Sequence, residues 1–383
     1  MKVNVISINT TASIPLFRYI INFFINDIRA NVELTEVHVK EYNNSYKDLI
    51  YNKILAFDSY QEFMNQSLKN KVKKYLVILN KIRSIYKAKG DQLIYTNDYQ
   101  VICCLLFIQS FYHKNSVKII YHQFELMELK RMNPFNKFIY KYLLKRSNRL
   151  DLVIFPEQNR LNYFIQESNL GKEKTFLLPN SCESVKENEK MTKHSLFDKF
   201  PKGSFIVAHI GHIGDENFYL TNYLTAIDKM KDNADIRFLF LGRQSQKFKN
   251  IIAENQLDNV VTIDNVPHAE LKQIYPFIDL GVILYKAANL NIEFCAPNKL
   301  YELWSNGVPV IGHQLKGLKG LFEQKEKGIL ANFENSQDIT DTIVNFSLKS
   351  NSRKALLETF ENELSISIGL KQLKNKIHQF KVN

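Results

Sequence analysis

The chain has 383 residues, enough for two domains of ordinary size, and its 45% hydrophobic and 23% charged residues are typical of globular proteins. The formal net charge of +12 is uneven, because residues 1–180 hold 26 Lys and Arg against 15 Asp and Glu, whereas residues 181–383 hold 25 against 24. This composition excludes a disordered or fibrous protein, and no apolar run reaches the roughly 20 residues of a membrane-spanning helix.

The cysteines do not form a recognisable metal or disulfide pattern. Cys103 and Cys104 are adjacent, and Cys182 and Cys295 stand alone, so neither the paired spacing of a zinc site nor a disulfide framework is present. The first residues lack the long apolar stretch and cleavage site of a signal peptide. We therefore expect reduced thiols, no bound metal and a cytoplasmic protein, with the inner face of the plasma membrane as an alternative place.

In the first half, short apolar runs alternate with helical patterns, which is the arrangement that a parallel sheet with helical crossovers requires. Helices are predicted in all the gaps between these runs. The predicted strands are residues 3–8, 32–39, 92–96, 117–121, 152–155 and 175–178.

Two predicted helices of this half concentrate its positive charge. In residues 69–89, apolar residues recur at helical spacing and lysines crowd the other positions, which predicts a basic amphipathic helix. Residues 130–149 carry seven Lys and Arg, four aromatic residues and no acid. Such faces suit anionic lipid head groups or a lipid-diphosphate acceptor. A solvated helical face is the ordinary alternative, and nucleic acid is not expected because no recognised binding motif accompanies the charge.

The second half begins again after a polar stretch near residues 181–200, which we interpret as a linker. Its predicted strands are residues 205–210, 236–241, 260–263, 280–284, 308–311 and 328–331. Neither half carries the glycine fingerprint of a dinucleotide fold or the phosphate loop of a nucleoside triphosphatase, which argues against a dehydrogenase or a kinase. Ligands of open parallel sheets bind at the carboxyl ends of the strands, so the chemistry is expected in the loops that follow them.

The most informative segment is residues 291–312, NIEFCAPNKLYELWSNGVPVIG. Pro297 suits the first position of a helix, predicted over residues 297–306, whose N-terminus attracts a diphosphate. Lys299 adds a positive charge, and Glu302, on the same helical face, can accept hydrogen bonds from the two hydroxyls of a ribose. Diphosphate and ribose together describe a nucleotide sugar. The alternative is an ordinary helix on which Lys299 and Glu302 merely pair.

The run APNKLYELWSNGVPVIG is similar to the signature of the retaining glycosyltransferases of family four, which have the GT-B fold. Other segments resemble the same family: HIGHIG at 209–214, FLFLGR at 238–243, residues 259–285, and, in the first half, DLVIFPEQNRLNYF and LLPNSCE. The resemblance covers most of residues 90–335 and is strongest over residues 205–312.

The resemblance implies an α/β protein of the GT-B type, with two facing Rossmann-like parallel-sheet domains and an interdomain cleft. Residues 1–185 would form the acceptor-side domain, residues 186–365 the nucleotide-sugar-binding domain, and residues 366–383 a closing helix. Glu302 would bind the ribose, Lys299 and Arg243 the diphosphate, and the backbone around Val266 the base. The full donor site implied in this way comprises Gly211, His212, Gly214, Arg243, Val266, Pro297, Asn298, Lys299 and Glu302.

The sequence departs from the family pattern in two places. The family often has a second glutamate eight residues before the one that matches Glu302, but Phe294 stands there, with Glu293 one residue earlier. The usual lysine after the first donor-domain loop is also missing, because Gly214 is followed by Asp-Glu-Asn. Arg243 is therefore expected to carry more of the phosphate charge.

On the acceptor side, the segment YHQFE, residues 121–125, ends a predicted strand and resembles the family's strand followed by a histidine or a histidine-acid pair. His122 would then face the transferred sugar and steady charge at the reaction centre. Another alignment places the acid at Glu125, Asp98 is a weaker candidate, and a structural role for His122 is the ordinary alternative.

The implied activity is transfer of a sugar from a nucleotide-diphosphate sugar to a hydroxyl of a glycan or lipid-linked acceptor, with retention, in bacterial surface polysaccharide biosynthesis. The nucleotide sugar is a co-substrate and no cofactor is expected. The sequence shows no Asp-x-Asp at a strand end, so we expect metal independence. The alternatives are an inverting transferase with His122 as base and a catalytically degenerate homologue that serves as a partner protein.

Overall fold

The structure is a computed structural model, which describes residues 1–42, 46, 49–112, 117–185, 192–213, 218–264, 266–349 and 353–379. Its contacts divide the chain into two units. The first unit is residues 1–179 together with 369–383, and the second is residues 180–368.

The first unit is built on a seven-stranded parallel sheet with the order β3-β2-β1-β4-β5-β6-β7. The strands nearest its centre are almost completely buried on both faces, which is why they are near-continuous apolar runs. The strands are β1 (Lys2–Ser7), β2 (Asn31–Val39), β3 (Ile50–Phe57), β4 (Gln92–Thr96), β5 (Val117–His122), β6 (Leu152–Phe155) and β7 (Thr175–Leu177).

The edge strand β3 contradicts the prediction from the sequence, which places only helix between the predicted strands 32–39 and 92–96. Asn52 and Lys53 interrupt its apolar residues, and only Ile54 and Phe57 are buried. An edge strand with one sparse apolar face gives little period-2 signal, and here the parallel pairing with β2 decides the conformation.

The helices of this unit pack against the sheet through their apolar faces. In the long α3, the buried face comprises Ile78, Ile82, Ile85 and the aliphatic stem of Lys74. Helix α4 contacts both α3 and α5. The helices are α1 (Pro15–Asn22), α2 (Tyr60–Met64), α3 (Leu68–Lys87), α4 (Tyr99–Gln109), α5 (Pro134–Arg146) and α6 (Gln158–Glu167).

The second unit is built on a six-stranded parallel sheet with the order β10-β9-β8-β11-β12-β13. All six predicted strands are present, although β12 begins two residues later than expected. The strands are β8 (Phe205–Ile210), β9 (Ile236–Leu241), β10 (Val260–Ile263), β11 (Leu280–Ile283), β12 (Val310–His313) and β13 (Gly328–Ala331). Two parallel-sheet, Rossmann-like units are the α/β architecture that the sequence predicts.

Short helices connect these strands, and α10 is shorter than predicted. It covers seven residues, and Gly307 (φ +68°) ends it, with the Gly307 and Val308 amides donating to the carbonyls of Trp304 and Leu303. This left-handed glycine, three residues after the last helical residue Trp304, closes the end of the helix. The helices are α7 (Leu220–Lys229), α8 (Gln246–Glu254), α9 (Leu290–Glu293), α10 (Asn298–Trp304), α11 (Lys316–Lys319), α12 (Ser336–Ser347), α13 (Arg353–Thr359) and α14 (Ile366–His378).

Helix α14 is the last element, and its residues from Gly369 belong to the first unit. Within the described ranges, no helix is long and apolar enough to span a bilayer.

Candidate functional site

Lys299, Glu302 and Tyr275 form a connected polar cluster in the second unit. Lys299 Nζ lies 2.6 Å from Glu302 Oε2, one helical turn along α10. The Tyr275 hydroxyl donates to the same Oε2 atom and accepts from Lys299 Nζ at 3.2 Å. A buried tyrosine from a different segment therefore holds an ion pair that would otherwise be an ordinary contact within one helix.

The surroundings of this cluster are mostly apolar. The Glu302 side chain is 16% exposed, and Tyr275 is buried in the same core cluster as Leu300 and Trp304. Burial, followed by the negative charge and hydrogen bond of Glu302, raises the pKa of Tyr275 far above its ordinary value, so its hydroxyl remains a donor. The second carboxylate oxygen, Oε1, makes no hydrogen bond within the described part of the chain. Glu302 thus keeps one oxygen for a hydroxylated ligand.

Two glycine loops meet at the carboxyl ends of β8 and β9. Gly211 (φ +135°) and Gly242 (φ +131°) both have backbone conformations that favour glycine. A Cβ atom on Gly242 would lie 2.3 Å from the carbonyl oxygen of Gly211, so the close approach of the loops depends on its absence. The Ile213 amide donates to the Arg243 carbonyl at 3.0 Å and fixes the register of the two loops.

The side chains that these loops carry are His212 and Arg243. His212 Nδ1 lies 3.0 Å from the Arg243 carbonyl. The Arg243 side chain is exposed, and its guanidinium pairs with no carboxylate in the ranges the structure describes. An unpaired cation beside a glycine loop, at the ligand edge of a parallel sheet, is suited to phosphate. Gly214, which the sequence analysis places in the same site, lies outside the described residues.

The remaining predicted donor-site residues lie beside these elements. Val266 follows β10 and packs partly buried against the core that contains Tyr275. Pro297 is the N-cap of α10 rather than its first helical residue, because its ψ of 127° is extended, and its carbonyl accepts the Leu300 amide. Asn298, the first residue of the helix, is exposed. With only seven residues in α10, the macrodipole contributes less than the charge of Lys299.

Phe294 and Glu293 end α9, close to Lys316. Lys316 Nζ lies 6.0 Å from the centre of the Phe294 ring and 3.9 Å from Glu293 Oε1. The Glu293 carboxylate also acts on His313 at the end of β12, where burial lowers the pKa of that histidine and Glu293 opposes the shift. Glu334, which acts on His313 more strongly, and Glu293 therefore both place negative charge at this edge.

The first unit has its own cavity, of about 540 Å³, at the carboxyl ends of β1, β4 and β5. Asn9, Asn97, Asp98, Gln123 and Glu125 give it polar walls. Burial raises the pKa of Asp98 to about 6, although hydrogen bonds from Ile8, Ser7 and Asn9 lower it in part. Hydrogen-bond acceptors and amides that converge on one cavity suit an uncharged, hydroxylated ligand.

His122 does not line this cavity. It is the last residue of β5 and has no exposed surface. Its Nδ1 atom lies 2.7 Å from the Tyr95 hydroxyl, and the centre of its ring lies 4.4 Å from the centre of the Phe124 ring. Burial lowers the pKa of His122 to about 3, so the imidazole is neutral at physiological pH. Its Nε2 atom has no hydrogen-bond partner among the described residues. The structure therefore separates His122 from Glu125, which is exposed on the cavity wall.

Tyr275 is not identified from the sequence, and Asp98 is named there only as a weaker candidate, without its hydrogen-bond partners. Tyr275 stands in the stretch Asn259–Tyr285 that resembles the family, but no motif distinguishes it from the apolar residues around it. The importance of Asp98 rests on Ser7, Ile8 and Asn9, which are about 90 residues away in the chain. Only the sheet order, which places β1 next to β4, brings these residues together.

Comparison with known proteins gives matches of two kinds. Residues 204–347 match the family model Glycosyl transferases group 1. HepE from Anabaena, in complex with UDP, has a similar structure with a TM-score of 0.73 at 14% identity, over 99% of this chain and 100% of that chain. A glycosyltransferase from Rickettsia africae gives a TM-score of 0.72 at 14% identity, over 100% of this chain and 99% of the other.

Sucrose-phosphate synthase from Thermosynechococcus elongatus gives a TM-score of 0.69 at 15% identity, over 100% of this chain and 99% of that chain. No curated protein matches the sequence. Identities this low bear on the fold alone, whereas the family model bears on the segment that carries the two glycine loops and α10. The chain therefore has the GT-B fold, and its residues 204–347 match the family model Glycosyl transferases group 1.

Proposed function

We propose that the protein transfers a sugar from a nucleotide-diphosphate sugar to a hydroxyl group of a glycan or lipid-linked acceptor. The observation that carries this proposal is the cluster of Lys299, Glu302 and Tyr275, in which a largely buried carboxylate is held by two donors and keeps one oxygen for a ligand. A carboxylate in that condition is a good acceptor for the vicinal hydroxyls of a ribose.

The other features of the second unit complete a donor site. Arg243 and Lys299 provide positive charge for the diphosphate, and the Gly211 loop lets the main chain approach it. Backbone groups near Val266 bind the base. UDP is the first nucleotide to test, since HepE, a structural neighbour, was crystallised with UDP.

The reaction we propose proceeds with retention of configuration. The leaving diphosphate guides the incoming hydroxyl to the face that it vacates, and the protein orients the two substrates and stabilises the developing phosphate charge. In the inverting alternative, His122 would remove the proton of the acceptor. Its complete burial and a pKa of about 3 make it a poor general base, which favours the retaining reaction.

Metal independence and a role in the synthesis of a surface polysaccharide in the cytoplasm remain parts of the proposal. Arg243 and Lys299 would neutralise the diphosphate charge without a divalent ion. Full activity in the presence of a chelator is the expected result, whereas loss of activity that manganese restores would contradict it.

A catalytically degenerate homologue is the second candidate, and it is favoured by Phe294 at the position where the family often has a glutamate. The two candidates differ in turnover. The purified protein is incubated with UDP-, GDP-, ADP-, CDP- and TDP-sugars together with glycan and lipid-linked acceptors that carry a free hydroxyl, and release of the nucleoside diphosphate is followed for the protein and for Glu302→Gln. Release from one donor that is lost in Glu302→Gln supports the transferase, and NMR of the product anomer then separates retention from inversion. Tight binding of a nucleotide sugar without any turnover would favour the degenerate partner.

A further inference from the structure

The start of α3 exposes a stripe of apolar side chains. Leu68, Val72 and Leu76 follow each other at four-residue spacing and are 77%, 52% and 56% exposed. They lie in the first turns of the helix, where Val72 is on the opposite side from the buried Lys74. These three side chains therefore do not pack into the core of their own unit.

The start of α5 exposes a second apolar group. Phe135 and Phe138 are 71% and 72% exposed, one turn apart, while Tyr140 and Leu143 on the other side of the helix are buried. A phenylalanine in this position keeps most of its apolar surface in contact with water, which is unfavourable. Two such exposed phenylalanines side by side indicate that this part of the surface binds another molecule or a membrane.

Cations surround both groups. Lys69 and Lys73 flank the stripe on α3, and Arg131 and Lys141 flank the phenylalanines on α5; all four are exposed. None of them pairs with a carboxylate within the described ranges, and residues 129–149 contain no Asp or Glu. We call the apolar residues Leu68, Val72, Phe135 and Phe138, with these four cations, the basic apolar surface.

The basic apolar surface lies at the end of the first unit that carries the cavity. Helix α4 lies between α3 and α5, and its N-cap, Asp98, lines the cavity. Tyr140, in the second turn of α5, exchanges hydrogen bonds with Gln123 of the cavity wall. The first turns of α5 are therefore next to the cavity.

We propose that the basic apolar surface binds a bilayer that contains anionic phospholipid. The phenylalanines and leucine insert among the acyl chains near the head groups, and the lysines and arginine neutralise the lipid phosphates. Lysine is depleted from the cores of protein interfaces, so a surface with this much lysine and no acid fits a lipid surface better than a protein partner. Binding would place the cavity beside the membrane.

The test is sedimentation of the full chain with vesicles of phosphatidylcholine that either contain or lack phosphatidylglycerol. We expect binding to the anionic vesicles only, and weakening as salt rises. Phe135→Ser/Phe138→Ser should bind about tenfold more weakly or worse, because two inserted aromatic rings are lost. Both side chains are exposed, so the double variant should fold, and unchanged thermal unfolding confirms that it does.

Phe107→Ser/Phe111→Ser is the matched control. These two phenylalanines are 51% and 68% exposed and lie at the far end of α4, about 16 Å from the cavity by helix length. The control should bind the anionic vesicles as the unaltered protein does. The proposal would be overturned if the unaltered protein failed to bind the anionic vesicles, or if both double variants lost binding equally. Calorimetric nucleotide binding, measured without lipid, reports on the second unit, so failure of the membrane proposal is distinguishable from failure of the donor site.

Discussion

The Tyr275 hydroxyl donates a hydrogen bond to Glu302 Oε2, although 27 residues separate the two in the chain. This contact turns a pair within one helix into a cluster of three, because Lys299 bonds to both partners. The orientation of the Glu302 carboxylate therefore depends on a segment that precedes β11. Tyr275 acts as a positioning residue, since it bonds to the carboxylate that we place against the ribose.

Tyr275→Phe should weaken binding of a ribonucleoside diphosphate by roughly ten- to a hundredfold, because a hydrogen bond to a charged group contributes about 1.5–3 kcal/mol. The loss should be smaller for the 2′-deoxy nucleotide, which gives up one of the hydroxyls that Glu302 binds. The ratio of the two dissociation constants, measured by calorimetry, is the readout.

Tyr219→Phe is the matched control for this variant. It also removes a buried hydroxyl, which bonds to His313 and Glu334 instead of Glu302. It should leave the ratio unchanged. An equal change of the ratio in both variants would show that Tyr275 acts only through stability.

Arg243→Ala should weaken binding of a nucleoside diphosphate by about tenfold, and of the monophosphate less, because the lost charge-assisted bond is to the second phosphate. Arg237→Ala is the control, since Arg237 lies at the other end of the same strand and bonds to the Asn233 carbonyl. Equal effects of the two substitutions on diphosphate affinity would argue that only net charge matters.

Gly242→Ala should destabilise the protein by about 2–4 kcal/mol, since a strained left-handed residue and a clash add up. Gly203 has a similarly positive φ of +84° but open space around its Cβ position, so Gly203→Ala isolates the strain. Denaturant unfolding gives both values. If the two substitutions destabilise equally, the close approach of Gly242 to Gly211 is not a constraint.

His122 should make the protein lose stability in acid. Its pKa is about 3 in the fold against 6.5 in the unfolded chain, so the unfolded chain binds more protons within that window and stability falls as pH drops through it. Between about pH 7 and about pH 5 the loss due to this residue is about 2 kcal/mol. His122→Gln keeps a partner for Tyr95 and should lack this part of the loss. Equal losses in the two proteins would mean that His122 titrates normally and is accessible.

Much of the architecture was predictable because its signals are local. The central strands are apolar runs of the length that a sheet buried on both faces requires, and twelve of the strands in the described ranges fall at or near their predicted places. The prediction of a helix where β3 lies was wrong, because the conformation of this stretch depends on pairing with β2 rather than on its own pattern. Helix α10 ends two residues earlier than predicted because Gly307 caps it.

The site was predictable only where one segment carries it. Lys299 and Glu302 lie on one helix, so their spacing brings them together. Tyr275 and the pair of Gly211 and Gly242 depend on contacts between distant segments, which no spacing encodes. The placement of His122 depends on Tyr95 and Phe124 closing over it, a matter of packing that a strand-end position does not predict.

The central claim is that the second unit binds a nucleoside diphosphate through Glu302. The most direct test is calorimetric titration of the full chain with uridine, guanosine, adenosine, cytidine and thymidine diphosphates, repeated with Glu302→Ala. We predict that one of the ribonucleotides binds and that the variant loses this binding. Absence of binding to all five, or equal binding by the variant, would contradict the account.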